Sequence, residues 1–303
     1  MRLALRITAT LCLAVLAALV PNRAGAKVKV VASITDLASI ASTVGGDQVE
    51  VNVIAKPTAD VHRIEALPSY MVRVSRADLY LKVGLGLDQW ADALIDGSRN
   101  DRLTVLDCSQ DVTVLDKPTR VDASMGDVHP FGNPHYWLDP RNGAAVARQI
   151  AQALGRLDAA HAADFASRAE AFAGQAEEMA RRCAQVGAGL PNRRIVTYHA
   201  SWVYFAATCG LETVATVEPV PGIPPTASHL QHLVDLIHDQ GVPVVLYEPY
   251  FSEDAGEFLT RQTGVRIARV APSCDGIEAG HYLAHFDALL AGLAGTSTPG
   301  TGS

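Results

Sequence analysis

Three histidines of this 303-residue chain follow predicted strands or lie in the loops beyond them. His62 follows the letters PTAD in a proline-bearing loop, His135 follows GNP in FGNPHYWLDP, and His199 ends the predicted strand RIVTYH. Because ligands of α/β sheets bind beyond the carboxyl ends of the strands, a cleft between two halves of the chain could gather the three rings. Three imidazoles suit Zn²⁺, although neutral imidazole also suits copper, nickel or iron. The alternative is that all three are loop residues that make ordinary hydrogen bonds.

A fourth ligand would complete the shell of such a metal. Asp275, just past the predicted strand VRIARVAPSC, is the best-placed carboxylate, and Glu248 in LYEPYF is the second candidate. Asp139 and Glu65 are candidates for orienting the histidines through the distal ring nitrogen, whereas Asp60 is interpreted as the cap of a turn. Nearby aromatic residues either form an apolar wall of the site or pack in the core; they are Trp137, Tyr198 and Trp202.

The composition indicates an exported protein with enough apolar residues for two domains. Apolar residues make up 49% of the chain and the net charge is −7. No basic stripe occurs, which excludes a nucleic-acid binder. Residues 1–26 have the pattern of a cleaved signal peptide, in which Arg2 and Arg6 precede an apolar run and Ala24-Gly25-Ala26 forms the cleavage site. We therefore expect a soluble protein of the periplasm.

The cysteines are compatible with disulfides, because an exported chain meets oxidising conditions. Four of them follow the predicted signal peptide, and their spacing alone does not determine a pairing. Cys209 and Cys274 both lie in the second half of the chain and are the first predicted pair. Cys12 follows Leu11 rather than a small residue, which disfavours lipid attachment.

The elements that must position the histidines have the pattern of an α/β fold. Strand, helix and strand alternate over residues 27–160, as in KVKVVASI and TDLASIASTVGG, which is typical of a parallel sheet. An alanine-rich amphipathic helix follows over residues 161–188, either as a rod between domains or as a layer on the sheet. The alternation returns over residues 189–294, and residues 295–303 are predicted to be a disordered tail.

Four segments and the long helix resemble the zinc- and manganese-binding receptors of bacterial ABC importers. The segments are TADVHRIEALPS, NPHYWLDP, TYHASWVYFA and VLYEPYFS, in that order. The resemblance implies two similar α/β lobes, each with a mainly parallel sheet flanked by helices, joined by one long rigid helix with the metal between them. His62, His135 and His199 match the family's ligand positions, and Asp275 lies near the aspartate of its last motif.

The resemblance also implies a function. Manganese receptors of this kind carry a carboxylate at the third ligand position, and His199 in its place favours zinc over the harder manganese. We expect a monomeric receptor, not an enzyme, that carries one Zn²⁺ to an ABC transporter permease after direct capture or loading by a periplasmic metallochaperone. The alternatives are a manganese or iron receptor, an exported zinc hydrolase and an adhesin.

The resemblance departs from the zinc receptors in one loop. Those receptors often carry a long loop, rich in His, Asp and Glu, before the NPH segment. Here the corresponding stretch is the short DASMGDVHPFG, and its one histidine is His129. We interpret His129 as a turn residue rather than as a remnant of a metal-capturing loop.

Overall fold

The computed structural model describes residues 26–120 and 129–296. The predicted signal peptide and the predicted disordered tail lie almost entirely outside these residues. Within them the chain forms two four-stranded sheets. The strands are β1 (Val28–Ala32), β2 (Val49–Val53), β3 (Leu79–Lys82), β4 (Thr104–Asp107), β5 (Arg194–Thr197), β6 (Glu212–Thr216), β7 (Val244–Tyr247) and β8 (Arg266–Arg269).

Helices connect the strands and cover the sheets. They are α1 (Thr35–Gly45), α2 (Pro68–Val74), α3 (Trp90–Ser98), α4 (Pro140–Leu157), α5 (Ala162–Ala188), α6 (Val203–Cys209), α7 (Ala227–Gln240), α8 (Asp254–Thr263) and α9 (His281–Ala294). We call β1–β4 with α1–α3 the first lobe, and β5–β8 with α6–α8 the second lobe. In the described part of the chain, no helix combines the length and the apolar character that crossing a bilayer requires.

The two sheets share one topology. The strand order is β2-β1-β3-β4 in the first lobe and β6-β5-β7-β8 in the second, and every pair is parallel. In each lobe the chain leaves its first strand for a neighbour on one side and then crosses to the other side. Such a reversal opens a crevice beyond the carboxyl ends of the two central strands. The predicted fold class, two parallel-sheet lobes flanked by helices, is confirmed.

Apolar side chains on both faces of each sheet hold the strands in the core. In β7, Val244 and Leu246 face a core that both lobes share, whereas Val245 and Tyr247 face a separate core of the second lobe. This alternation follows from the two-residue period of a strand. Helices on both sides of a parallel sheet make such strands almost wholly apolar.

The helix α5 spans 27 residues, which corresponds to a length of about 40 Å. Its buried side chains recur every three or four residues, from Phe165 through Phe172 and Ala176 to Cys183. This apolar stripe packs on α4, which begins at Pro140 and is capped by Asp139, whose carboxylate accepts the Arg141 N–H at 2.9 Å.

The core does not stop at the boundary between the lobes. One contiguous cluster of buried apolar side chains contains Val30 of β1, Phe172 of α5, Trp202 beside α6 and Leu246 of β7. The two sheets are therefore held by the same packed interior, to which the joining helix contributes its own buried face.

Polar contacts also join α1 of the first lobe to the segment between β8 and α9. The Thr35 hydroxyl donates to the carbonyl of Cys274 at 2.7 Å, and the Cys274 N–H donates to the carboxylate of Asp36 at 3.2 Å. The Ser39 hydroxyl donates to the carbonyl of Glu278 at 2.7 Å. The N-terminal half of α1 is thus fastened to the segment that precedes α9.

The predicted disulfide between Cys209 and Cys274 is not formed. All four cysteines of the described residues are buried free thiols. Cys274 lies against α1 of the first lobe, whereas a hydrogen bond with Cys183 of α5 and burial together raise the pKa of the Cys209 thiol. The prediction is wrong because nearness along the second half of the chain does not bring these two residues together.

Candidate metal centre

The three histidines singled out by the sequence meet between the two lobes. One nitrogen from each of His62, His135 and His199 lies within 4.8 Å of the others. The ring centroids are 5.1 Å apart for His62 and His135, 5.3 Å for His62 and His199, and 5.7 Å for His135 and His199. His62 and His135 come from loops beyond β2 and β4, and His199 follows β5, so both lobes contribute.

Two of the histidines are oriented by an oxygen two residues earlier. The Asp60 carboxylate oxygen Oδ1 lies 3.0 Å from the His62 backbone N–H nitrogen and 2.8 Å from the His62 Nδ1. The Asn133 amide oxygen repeats this arrangement on His135, at 3.1 Å from its backbone nitrogen and 2.9 Å from its Nδ1. In both loops a short polar side chain therefore folds back and holds the ring.

The third histidine is oriented from a distant part of the second lobe. The Glu218 carboxylate, just beyond β6, lies 2.7 Å from the Nδ1 of His199, and both side chains are almost fully buried. With an oxygen acceptor at each Nδ1, the proton of all three neutral rings belongs on Nδ1. Each Nε2 then presents a lone pair, which is the form in which imidazole binds a metal.

The protein leaves one of these Nε2 atoms without a hydrogen-bond partner and shifts the pKa of two of the rings. The Nε2 of His62 is buried and has no hydrogen-bond partner in the protein, although buried polar atoms are normally paired. Burial and the neighbouring histidines His62, His199 and His129 hold the pKa of His135 well below its usual range. Burial also lowers the pKa of His199, but the Glu218 hydrogen bond and the nearby carboxylates outweigh it and raise that pKa overall.

The predicted fourth ligand, Asp275, is not brought to this cluster. Its carboxylate is 82% exposed and lies 3.0 Å from the Nδ1 of His281. It is also not part of the group of potential ligand atoms found among the described residues. The loop that follows β8 turns toward α9 and carries Asp275 with it, so position just past a strand was not sufficient to place this side chain.

Glu248, the second candidate for a fourth ligand, follows β7 and is completely buried. Its Oε1 accepts a hydrogen bond from the Ser201 hydroxyl at 2.9 Å, and its Oε2 has no partner. Burial raises the pKa of Glu248 to about 7, against the opposing effects of His199 and Ser201. This carboxylate is not in the group of potential ligand atoms, but its charge helps to raise the pKa of His199.

The residues predicted to orient the histidines do not do so. Glu65 is exposed, and Asp139 caps α4 and pairs with Arg141 at 2.8 Å. Asp60, interpreted as a turn cap, accepts the backbone N–H of His62 and also holds its ring. The spacing Asp-x-His and Asn-x-His could have indicated that Asp60 and Asn133 contact the histidine rings. Nothing in the sequence around Glu218 indicates its contact with His199, which lies 19 residues earlier.

Aromatic side chains enclose the cluster on two sides. The Trp137 ring centroid lies 5.2 Å from that of His135, and the Phe251 ring, stacked on Tyr198 at 4.0 Å, lies 6.3 Å from His199. Trp202 packs in the shared core. A cavity of about 290 Å³ opens beside His199, between the two lobes, and gives access to the cluster.

His129 lies closer to the cluster than its interpretation as a turn residue requires. Its backbone carbonyl does begin a turn, accepting the Gly132 N–H at 3.2 Å. Its ring, however, stacks on His62 with a centroid distance of 5.2 Å and lies 6.2 Å from that of His135. A fourth imidazole therefore borders the three that were predicted.

Comparison with known proteins gives a consistent picture. Residues 30–295 match the model of the ZnuA family, described as zinc-uptake complex component A, periplasmic. The iron-binding protein YfeA of Yersinia pestis is 27% identical over 82% of this chain and 78% of its own. The manganese-binding lipoprotein MntA of Halalkalibacterium halodurans is 25% identical over 80% of this chain and 78% of its own.

Solved structures agree with the family match. A crystal structure of ZnuA superimposes with a TM-score of 0.78 and 25% identity, covering 89% of this chain and 99% of that one. The match extends through both lobes and the long helix, and the relatives are named for metal binding rather than for catalysis. The chain belongs to the ZnuA family of metal-binding receptors that serve ABC importers.

Proposed function

We propose that this protein binds one Zn²⁺ between its lobes through the Nε2 atoms of His62, His135 and His199, and delivers it to an ABC transporter permease in the membrane. The observation that carries the proposal is the set of three oxygen acceptors at the Nδ1 atoms. These contacts leave the Nε2 atom of each ring available to a metal, and one nitrogen of each ring already lies within 4.8 Å of the others.

The donor set supports zinc over manganese, whereas iron also accepts imidazole nitrogen. Imidazole nitrogen suits Zn²⁺, whereas Mn²⁺ favours carboxylate, carbonyl and water oxygens. The printed names of YfeA and MntA support the alternative, an iron or manganese receptor. The buried carboxylate of Glu248 would be the oxygen donor in that case.

The family match supports a location and a partner for the protein. We propose that the protein works as a monomer in the periplasm, after removal of the signal peptide, and that it is loaded directly or by a metallochaperone. Because a metal must displace protons from imidazole, zinc affinity should fall in acid. The family also disfavours the zinc hydrolase, since the relatives are named for metal uptake or metal binding rather than for catalysis.

The proposal is tested by zinc titration of the His199→Ala variant in a calorimeter. We expect the loss of this ligand to weaken zinc binding by more than about 100-fold, the upper end of what loss of a residue that merely supports a ligand costs. His232→Ala, an exposed residue of α7, is the matched control and should bind zinc like the unaltered protein.

Metal preference is measured in the same protein by competition between zinc and manganese, read by metal analysis. Retention of zinc at a large manganese excess supports the zinc receptor. Unchanged zinc affinity in His199→Ala would contradict the site, and preferential loading with manganese would favour the alternative receptor.

A further inference from the structure

We propose that His129 is the fourth ligand of this zinc site, so that the metal is held by four imidazole nitrogens. The inference rests on the proposed function and adds to it the residue that completes the shell. It assigns a binding role to the histidine of the loop that precedes the Asn-Pro-His segment.

The position of the ring is the first argument. The imidazole of His129 is stacked on His62, with 28° between the ring planes, and meets His135 edge-on at 75°. Its Nε2 is buried and has no hydrogen-bond partner, as is also true of the Nε2 of His62. Two adjacent buried imidazoles with unpaired Nε2 atoms are costly without a shared partner, and a metal ion between them would satisfy both.

The backbone of this loop is the second argument, because it ties His129 to His135. The carbonyl of His129 accepts the Gly132 N–H at 3.2 Å, and the Asn133 N–H donates to the carbonyl of Leu115 at 2.9 Å. Gly132 has a φ of 111°, and a Cβ there would lie 2.3 Å from a methyl carbon of Val114. The loop that orients His135 therefore also sets the position of His129.

One adjustment is required. The nitrogens of His129 do not belong to the set of atoms that lie within 4.8 Å of one another. Ligation therefore needs the ring to approach the other three. We assign this approach to a rotation of the His129 side chain, because the backbone on the C-terminal side of His129 is already held by its turn.

Charge is the third argument. Four neutral imidazoles leave the double charge of the ion uncompensated in the inner shell. The carboxylates of Asp60 and Glu218, each hydrogen-bonded to a ligand ring, supply two negative charges next to it. An inner-shell carboxylate is then unnecessary, which agrees with the exposed position of Asp275 and with the fact that Glu248 does not belong to the group of potential ligand atoms. Such an all-nitrogen shell discriminates strongly against Mn²⁺.

The test combines X-ray absorption spectroscopy of the zinc-loaded protein with chelator competition. We expect four imidazoles around zinc in the unaltered protein and three in His129→Ala. Zinc affinity should fall at least about tenfold, the lower end of the cost of losing a supporting residue at a metal site. Manganese affinity should fall less than zinc affinity. His129→Asn, which keeps a polar side chain too short to reach the position of the Nε2 atom, guards against a folding defect in the alanine variant.

Two further variants separate the possible failures. Glu248→Gln should leave the four-imidazole signal unchanged; loss of an oxygen neighbour of zinc in that variant would assign the fourth position to Glu248 instead. If His129→Ala and His129→Asn keep the full affinity and imidazole count while His62→Ala loses zinc, the role of His129 is refuted and the three-histidine site stands. If His62→Ala also keeps its zinc, the proposed function itself fails.

Discussion

The proposed zinc ligands differ in how their rings are held. His62 and His135 each rely on an oxygen two residues earlier in the same loop, whereas His199 relies on Glu218, a residue 19 positions later that reaches it across the end of the sheet. The local contacts form as soon as the loop turns. The contact of Glu218 forms only when β5 and β6 are paired, so this ring is oriented by the tertiary structure.

Glu218 is therefore expected to act as a positioning residue for zinc binding. In Glu218→Gln the amide can still accept a hydrogen bond from His199, but it carries no negative charge beside the ion. We expect zinc affinity to fall roughly 10–100-fold, as is usual when a partner of a metal-bound histidine is replaced. The measurement is chelator competition.

The matched control for this prediction is Glu212→Gln, because Glu212 is exposed on β6 and pairs with Arg194 at the surface at 3.3 Å. It should bind zinc normally. Equal zinc affinities for the two variants would show that Glu218 has no part in the site.

The meeting of the three histidines was predictable because each lies beside a recognisable turn or strand end. The partners Asp60 and Asn133 were equally readable, since both occupy the same spacing before a histidine. Glu218 and the ring of His129 were not, because their proximity depends on how separate loops fold over the carboxyl edges of the two sheets. Asp275 followed a strand end like His199, yet the loop after β8 turns away from the cluster.

At the scale of elements, α5 contains two glycines with opposite surroundings. A Cβ on Gly187 would lie 1.8 Å from the carbonyl oxygen of Cys209, at the end of α6, whereas Gly174 is exposed and has no atom within 4 Å of such a carbon. The long helix thus approaches the second lobe so closely at Gly187 that a methyl group would collide with the backbone.

We expect Gly187→Ala to lower the free energy of unfolding by about 1–3 kcal/mol, or more if the backbone of α6 cannot shift. Gly174→Ala, the matched control in the same helix, should instead stabilise the protein by about 0.5–1 kcal/mol, because alanine loses less conformational entropy than glycine. Urea unfolding of the metal-free variants measures both. A destabilised Gly174→Ala or a neutral Gly187→Ala would contradict the packing described.

The elements themselves were predictable to within a few residues. The predicted helix over residues 161–188 corresponds to Ala162–Ala188, because its alanine-rich sequence repeats apolar residues with the helical period over seven turns. The neighbours of the free cysteines were not predictable, because they depend on which helix faces meet. Cys183 of α5 faces Cys209 of α6, and Cys274 faces α1.

At the scale of the whole molecule, Asp36 places a buried carboxyl group in the contact between α1 and the segment that precedes α9. It is 1% exposed, its Oδ1 accepts the Cys274 N–H, and its Oδ2 has no partner. Burial raises the pKa of Asp36 from 3.8 to about 7, against the opposing hydrogen bonds. The folded protein therefore holds this proton more tightly than the unfolded chain does.

The stability of the folded protein should therefore depend on pH. Below about pH 4 the carboxyl is protonated in both states, and as the pH rises toward 7 the folded state loses the stability that the bound proton provides. We expect Asp36→Asn to be more stable than the unaltered protein at pH 8, on the order of 1–3 kcal/mol, with a gap that closes toward pH 4. Asp47→Asn, exposed just beyond α1, should show no such pH-dependent gap in the same urea titrations. A gap of constant size would contradict the assignment.

The shared core of the two lobes has a practical consequence for anyone who would turn this protein into a fluorescent metal sensor. Receptors whose halves swing widely report occupancy through dyes attached far apart, one on each half. Here Phe172, Trp202 and Leu246 lie in one uninterrupted interior, so such dyes would keep nearly constant separation. An informative label would have to stand at the mouth of the cavity, where the environment of the fluorophore itself changes.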